Sequence, residues 1–173
     1  KEITFIFLNM VGMIVLTTIV VNFDVRLLYA VPICILPLIL KTFFDPRLGL
    51  FTHVITILNL GFIVPNSFEF VFLQIMVGIV TILSITQLQN RANLFITVGR
   101  IVLIYLLGYV AFTIIHEGNI FEIDFLVIGL FLLNGLLTLF AQPLIYLFER
   151  LFKLVSDVSL LELSDTNSKL LKE

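Results

Sequence analysis

Residues 125–152, FLVIGLFLLNGLLTLFAQPLIYLFERLF, decide the fold class of this chain. Their apolar side chains follow one another without the alternation that a strand of a membrane β-barrel shows. About 20 mostly apolar residues are enough to cross a hydrocarbon core of about 30 Å. The stretch therefore predicts a transmembrane α-helix. At 1.5 Å per residue it would extend about 42 Å, so we expect the helix to leave the membrane without breaking, with a kink near Gln142–Pro143.

The composition of the whole chain agrees with this stretch. Of its 173 residues, 60% are hydrophobic and 13% are charged, whereas soluble domains are about a quarter charged. A water-soluble fold of this size could not bury so much apolar surface, so the sequence indicates an integral membrane protein. The single cysteine, Cys34, lies in an apolar run; it excludes a disulfide framework and is interpreted as a packing residue.

Five further stretches meet the same length requirement, which predicts an all-α, polytopic membrane helix bundle with six transmembrane helices. The second stretch contains Pro32 and Pro37, which remove two backbone donors and should bend or open the helix. The predicted transmembrane domain covers residues 1–153, and residues 154–173 form a cytoplasmic connector. The six predicted helices cover residues 3–23, 27–44, 48–64, 68–85, 94–115 and 125–152.

The positions of lysine and arginine predict the orientation of the bundle. Nine of the ten basic residues fall at alternate connections and at the two ends, and Arg26 alone falls on the other side. Basic residues concentrate on the cytoplasmic side of membrane proteins. Six crossings then place both termini in the cytoplasm.

Residues that could carry chemistry are sparse, and no catalytic, cofactor-binding or metal-binding motif is present in the sequence. His53 and His116 are predicted at opposite sides of the membrane, which excludes a shared metal site. Polar residues inside the predicted helices have two interpretations: hydrogen bonds between packed helices, or a pocket for a small-molecule ligand. The candidates for either role are His53, Asn59, Gln74, Asn134 and Gln142.

The end of the chain carries a more specific pattern. Pro143 is followed by FERLF at residues 148–152 and by SDVSLLELSDTNSKLL at residues 156–171. This order resembles the junction in bacterial seven-transmembrane receptors with an intracellular HD phosphohydrolase domain. FDPRLGL, residues 44–50, is similar to a turn of the same family. The chain departs from the family at Ser168–Lys169, where many members have His-Pro.

The resemblance implies a function for the bundle. It would connect an extracytoplasmic sensor to a cytoplasmic HD domain that hydrolyses cyclic di-AMP with two divalent metals. The metal ligands of that domain are not among these residues, so the fragment itself would hold no cofactor. Its residues of interest would couple the bundle to the enzyme. The predicted coupling residues are Pro143, Glu149, Asp157, Leu161, Glu162 and Asp165.

The implied setting is the cytoplasmic membrane of a bacterium. The expected partners are the lipid bilayer, the protein's own sensor and its HD domain, with a small-molecule ligand and a homodimer left open and no nucleic acid. Two alternatives remain at this point: a small six-helix subunit that binds a substrate for uptake, and a membrane partner of the cell-wall machinery.

Overall fold

A computed structural model describes residues 2–84, 91–119 and 123–152, and within those ranges the chain is helical with no strand. A 3-10 helix, Val25–Ala30, lies between the first two α-helices. The α-helices are α1 (Glu2–Phe23), α2 (Ile35–Phe43), α3 (Pro46–Gly61), α4 (Ser67–Ser84), α5 (Arg91–Glu117), α6 (Phe125–Thr138) and α7 (Ala141–Phe152).

Five segments of the described chain are long and apolar enough to cross a membrane: Glu2–Phe23, Val25–Phe43, Ser67–Ser84, Asn93–Glu117 and Phe125–Phe152. The remaining helix, α3, has 16 residues. At 1.5 Å per residue it extends about 24 Å, which is short of a hydrocarbon core of about 30 Å. Length and composition therefore support five of the six predicted crossings.

The second segment is interrupted rather than merely bent. The 3-10 helix ends at Ala30, α2 begins at Ile35, and residues 31–34 between them are not helical. The two prolines explain these limits, because Pro32 cannot donate a hydrogen bond to Leu28 and Pro37 cannot donate one to Ile33. Backbone carbonyl groups in the interior of the bundle are left without their usual helical donors, and these need partners from elsewhere.

The sixth segment is also interrupted, which corrects the prediction of one continuous helix over residues 125–152. α6 ends at Thr138 and α7 begins at Ala141. A proline ring collides with the carbonyl group four residues before it. For Pro143 that carbonyl belongs to Leu139, so the helix ends there rather than at Gln142–Pro143.

The two interrupted segments lie side by side and run in the same direction. The 3-10 helix contacts α6, and α2 contacts α7. Cys34, at the end of the first interruption, has its sulfur 3.2 Å from the hydroxyl of Thr138, at the start of the second. The interruptions therefore occur at one level of the bundle.

An aromatic cluster closes the end of the bundle that holds the start of α1 and the end of α7. Phe5 is fully buried there. Its ring makes edge contacts with Phe43 at 5.4 Å, Phe148 at 5.2 Å and Phe152 at 5.0 Å between centroids. Edge-to-face pairs at these distances are favourable. The cluster joins α1, α2 and α7.

Candidate functional site: a buried polar network beside the helix interruptions

Asn134, on α6, satisfies the backbone that the first interruption leaves open. Its side-chain amide donates to the carbonyl oxygen of Tyr29 at 3.0 Å and to that of Val31 at 2.9 Å. In an unbroken helix the carbonyl of Tyr29 would accept from Ile33, but the amide of Ile33 turns back to Val31 instead. Asn134 is buried, so these hydrogen bonds form away from water. One side chain thus ties the sixth segment to the open backbone of the second.

Cys34 and Thr138 continue the contact between the two interruptions. Both are fully buried. The thiol of Cys34 lies 3.2 Å from the hydroxyl of Thr138 and 4.0 Å from the side-chain oxygen of Asn134. The hydroxyl of Thr138 also donates to the carbonyl of Asn134, one turn earlier on α6, at 2.8 Å. The thiol is therefore a small polar contact in an enclosed site.

Tyr105 connects α5 to α4 across the same interior. Its hydroxyl donates to the side-chain oxygen of Gln74 at 2.8 Å, and both residues are buried. Its ring stacks on Phe131 of α6, with centroids 5.0 Å apart and planes inclined by 16°. A buried tyrosine usually finds a partner for its hydroxyl, and here that partner lies on a neighbouring helix.

His53, on α3, is fully buried. Its Nε2 lies 3.0 Å from the backbone oxygen of Gln74, and it must carry the proton there because a carbonyl only accepts. Its Nδ1 has no hydrogen-bond partner among the described residues. The ring lies against Gly78, where an added Cβ would stand 2.2 Å from the imidazole. Glycine at this position allows α3 and α4 to approach closely.

The chemical capacity of this network is hydrogen bonding and packing. Its members are an imidazole, amides, hydroxyls and a thiol, drawn from the second segment and from α3, α4, α5 and α6. Among the described residues there is no group of three or more histidine, cysteine, aspartate or glutamate side chains that could hold a metal ion. Polar contacts between membrane helices contribute about 0.6 kcal/mol each on average. Together they stabilise the packing of the helices that the structure shows.

A second group of polar contacts lies at the end of the bundle opposite Phe5. His116 of α5 pairs with Glu69 of α4 at 2.8 Å, and the histidine side chain is more than half exposed. The hydroxyl of Tyr109 accepts from the backbone amide of Asp124 at 3.1 Å, and the carboxylate of Asp124 caps α6. These contacts join the ends of helices at a surface, where an ion pair contributes little stability.

The other candidates from the sequence lie outside the network. Asn59 is exposed and donates to Ile55 of its own helix at 2.8 Å. Gln142 is partly buried in the first turn of α7, and Pro143 is exposed beside it. Glu149 is partly buried near the end of α7. The connector residues Asp157, Leu161, Glu162 and Asp165 lie outside the described residues.

Sequence reasoning did not single out Tyr105. A signal was available, because Tyr105 stands near the middle of the long apolar segment Asn93–Glu117, where its hydroxyl has no water to bind.

Comparison with known proteins gives one match. The family described as 7TM receptor with intracellular HD hydrolase matches residues 1–156, which is most of the chain. No curated protein and no solved structure matches it.

Proposed function

This chain belongs to the 7TM receptors with an intracellular HD hydrolase, and we propose that it transmits a signal across a bacterial cytoplasmic membrane to a cyclic di-AMP phosphodiesterase domain in the same protein. The observation that carries the proposal is the family match over residues 1–156. It favours a receptor over a small uptake subunit or a partner of the cell-wall machinery. In this proposal the two divalent metals belong to the HD domain.

The proposed arrangement in the membrane has six crossings, with both ends of the chain in the cytoplasm. The distribution of basic residues supports it. The crossing by α3 is the part that length alone does not support, since this helix has 16 residues. α3 contacts α1, α2 and α4. A transmembrane helix shorter than the hydrocarbon core can still cross if the bilayer thins locally or if the flanking side chains reach toward the interface.

In the proposed mechanism the two interruptions let the bundle adopt two packings. A change at the sensor end would favour one of them, and α7 would carry the difference to the phosphodiesterase domain. Asn134 is placed to distinguish the packings, because it holds the open backbone at Tyr29 and Val31. The aromatic cluster at Phe5 would make α1 and α2 move together with α7.

A test uses the full-length protein in proteoliposomes, with hydrolysis of cyclic di-AMP as the measurement. Asn134→Leu and the unaltered protein are each made in two forms. One form has the natural connector, and the other has a flexible Gly/Ser linker inserted after Leu154. A helical linker of the same length is the control, because it keeps a rigid connection.

We expect Asn134→Leu to change the rate of hydrolysis with the natural connector and to leave it unchanged with the flexible linker. The same change with both connectors would mean that the substitution acts on the enzyme by another route. A full-length protein without phosphodiesterase activity on cyclic di-AMP would exclude the proposed substrate.

A further inference from the structure

A second feature of the bundle lies on its outside, on the face that α1 shares with the two interruptions. A groove of about 460 Å³ opens there, lined only by apolar side chains. Met13, Leu16 and Val20 form its α1 wall, while Leu27 and Leu144 belong to the second and sixth segments. In a membrane such a groove faces hydrocarbon. An empty groove would forfeit dispersion contacts, so it favours an apolar occupant.

One end of the groove is fixed by the turn after α1. The backbone amide of Asp24 donates to Val20 at 3.0 Å, and the backbone oxygen of Asp24 accepts from Leu27 at 3.1 Å. Val20 and Leu27 both line the groove. The turn at Asp24 therefore joins two lining residues at the end of the bundle where α1 finishes.

The length of the groove favours one kind of occupant over another. Its wall on α1 runs from Met13 to Val20, which is about 10 Å at 1.5 Å per residue. A transmembrane helix of another chain would occupy about 30 Å, whereas one leaflet supplies about half of that thickness. A groove about 10 Å long that lies beside the turn after α1 fits an acyl chain of a lipid in one leaflet.

The charges at the turn after α1 suit a particular kind of head group. Asp24 and Arg26 are both exposed, and they place a carboxylate and a guanidinium two residues apart. One carboxylate oxygen of Asp24 accepts from the backbone amide of Arg26 at 2.9 Å, which leaves further lone pairs for a donor. The guanidinium of Arg26 has no hydrogen bond or ion pair to any residue that the structure describes. A head group with one phosphate and one ammonium matches this pair.

We propose that the groove binds a phospholipid with an aminoethyl phosphate head group. One acyl chain fills the groove between α1 and the two interruptions. The phosphate pairs with Arg26, and the ammonium group donates to Asp24. A phospholipid with a glycerol phosphate head has the same chains and phosphate but no ammonium, so Asp24 repels its negative charge.

The first test counts the lipids retained by the purified protein in native mass spectrometry. The probes are phosphatidylethanolamine and phosphatidylglycerol with identical acyl chains. Leu16→Trp fills the groove, and Ile19→Trp is its matched control, since Ile19 is exposed on the same helix outside the groove. Arg26→Gln removes the cation, while Asp24→Asn removes the negative charge and keeps a residue that can cap the 3-10 helix.

We expect one retained phosphatidylethanolamine in the unaltered protein and in Ile19→Trp, and none in Leu16→Trp. Arg26→Gln and Asp24→Asn should each weaken its binding roughly two- to fivefold, as expected for exposed charge pairs. Equal retention in the two tryptophan variants would overturn the proposal, and so would equal binding of the two phospholipids. A change from dimer to monomer in Leu16→Trp would assign the groove to a second copy of the chain instead.

A second test needs no variant. Phosphatidylethanolamine with a diazirine on its acyl chain is photolysed in vesicles that contain the unaltered protein, and the labelled residues are located by peptide mass spectrometry. Leu144 lines the groove, whereas Leu147 is exposed one turn later and does not. Preferential labelling of Leu144 supports the site, and equal labelling of both leucines rejects it.

Discussion

The side-chain amide of Asn134 donates a hydrogen bond to the backbone oxygen of Tyr29, 105 positions earlier in the chain, at 3.0 Å. The relationship matters because the carbonyl of Tyr29 has lost its helical partner. A bond of this kind replaces part of the backbone ladder by a contact between two segments. The interruption of the second segment is therefore held in part by a side chain of α6.

Replacement of Asn134 by leucine removes both of its hydrogen bonds to that backbone. We expect Asn134→Leu to lower the free energy of unfolding by about 1–2 kcal/mol, because the carbonyl groups of Tyr29 and Val31 each lose a hydrogen bond from a buried side chain. Thermal unfolding of the purified protein in detergent measures the change. Asn59→Leu is the matched control; Asn59 is exposed and bonds only to its own helix, so its loss should stay within about 0.5 kcal/mol. Equal losses in the two variants would contradict this role for Asn134.

Gly78 is predicted to be intolerant of a methyl group. Gly78→Ala would place a Cβ 2.2 Å from the ring of His53, so α3 and α4 must separate or the imidazole must leave Gln74. Overpacking of this kind costs about 1–3 kcal/mol. Gly99→Ala is the control, because a Cβ at Gly99 meets nothing within 4 Å. Thermal unfolding should show a lower midpoint for Gly78→Ala and an unchanged or higher one for Gly99→Ala.

The contact between Tyr105 and Gln74 can be isolated by a double-mutant cycle. Tyr105→Phe removes the hydroxyl and keeps an aromatic ring against Phe131, while Gln74→Leu removes the acceptor. We expect a coupling free energy of about 0.5–1.5 kcal/mol between the two substitutions. Chemical unfolding in mixed micelles gives the four stabilities that the cycle needs. Additive losses would show that the hydroxyl and the amide stabilise the bundle independently.

The crossing by α3 is tested by two exposed positions that flank this helix. Ser67→Cys and Arg47→Cys are each introduced into the natural chain, whose single cysteine, Cys34, is fully buried. A membrane-impermeant maleimide should label Ser67→Cys in intact cells and Arg47→Cys only after permeabilisation. Labelling of both positions from the same side would mean that α3 does not cross the membrane.

The sequence predicts that the chain is helical and that Pro32 and Pro37 disturb the second segment, because these features depend on composition and on the missing amide of proline. Whether that segment bends or opens is not decided by the sequence. It does not predict which face of a helix meets its neighbours. Asn59 and Asn134 are both asparagines in apolar helices, yet one faces outward and the other holds the core of the bundle. When a helix is apolar on every side, its sequence gives little indication of which side packs against neighbouring helices.

The position of the second interruption was also not predicted correctly from the sequence. Pro143 indicated a disturbance in the last segment, but its effect falls on the carbonyl of Leu139, four residues earlier. The side-by-side placement of the two interruptions depends on contacts between residues that are far apart in the chain, such as Cys34 and Thr138. No local pattern of residues contains that information.

Because the two interruptions lie at one level, they form a single layer across the bundle in which neither segment is helical. Neither of these two segments is a continuous helix past this point. The thiol of Cys34 and the hydroxyl of Thr138 form a contact between the two segments at that level. In the proposed mechanism, this layer, about one helical turn thick, is where the bundle would respond most to small changes in shape.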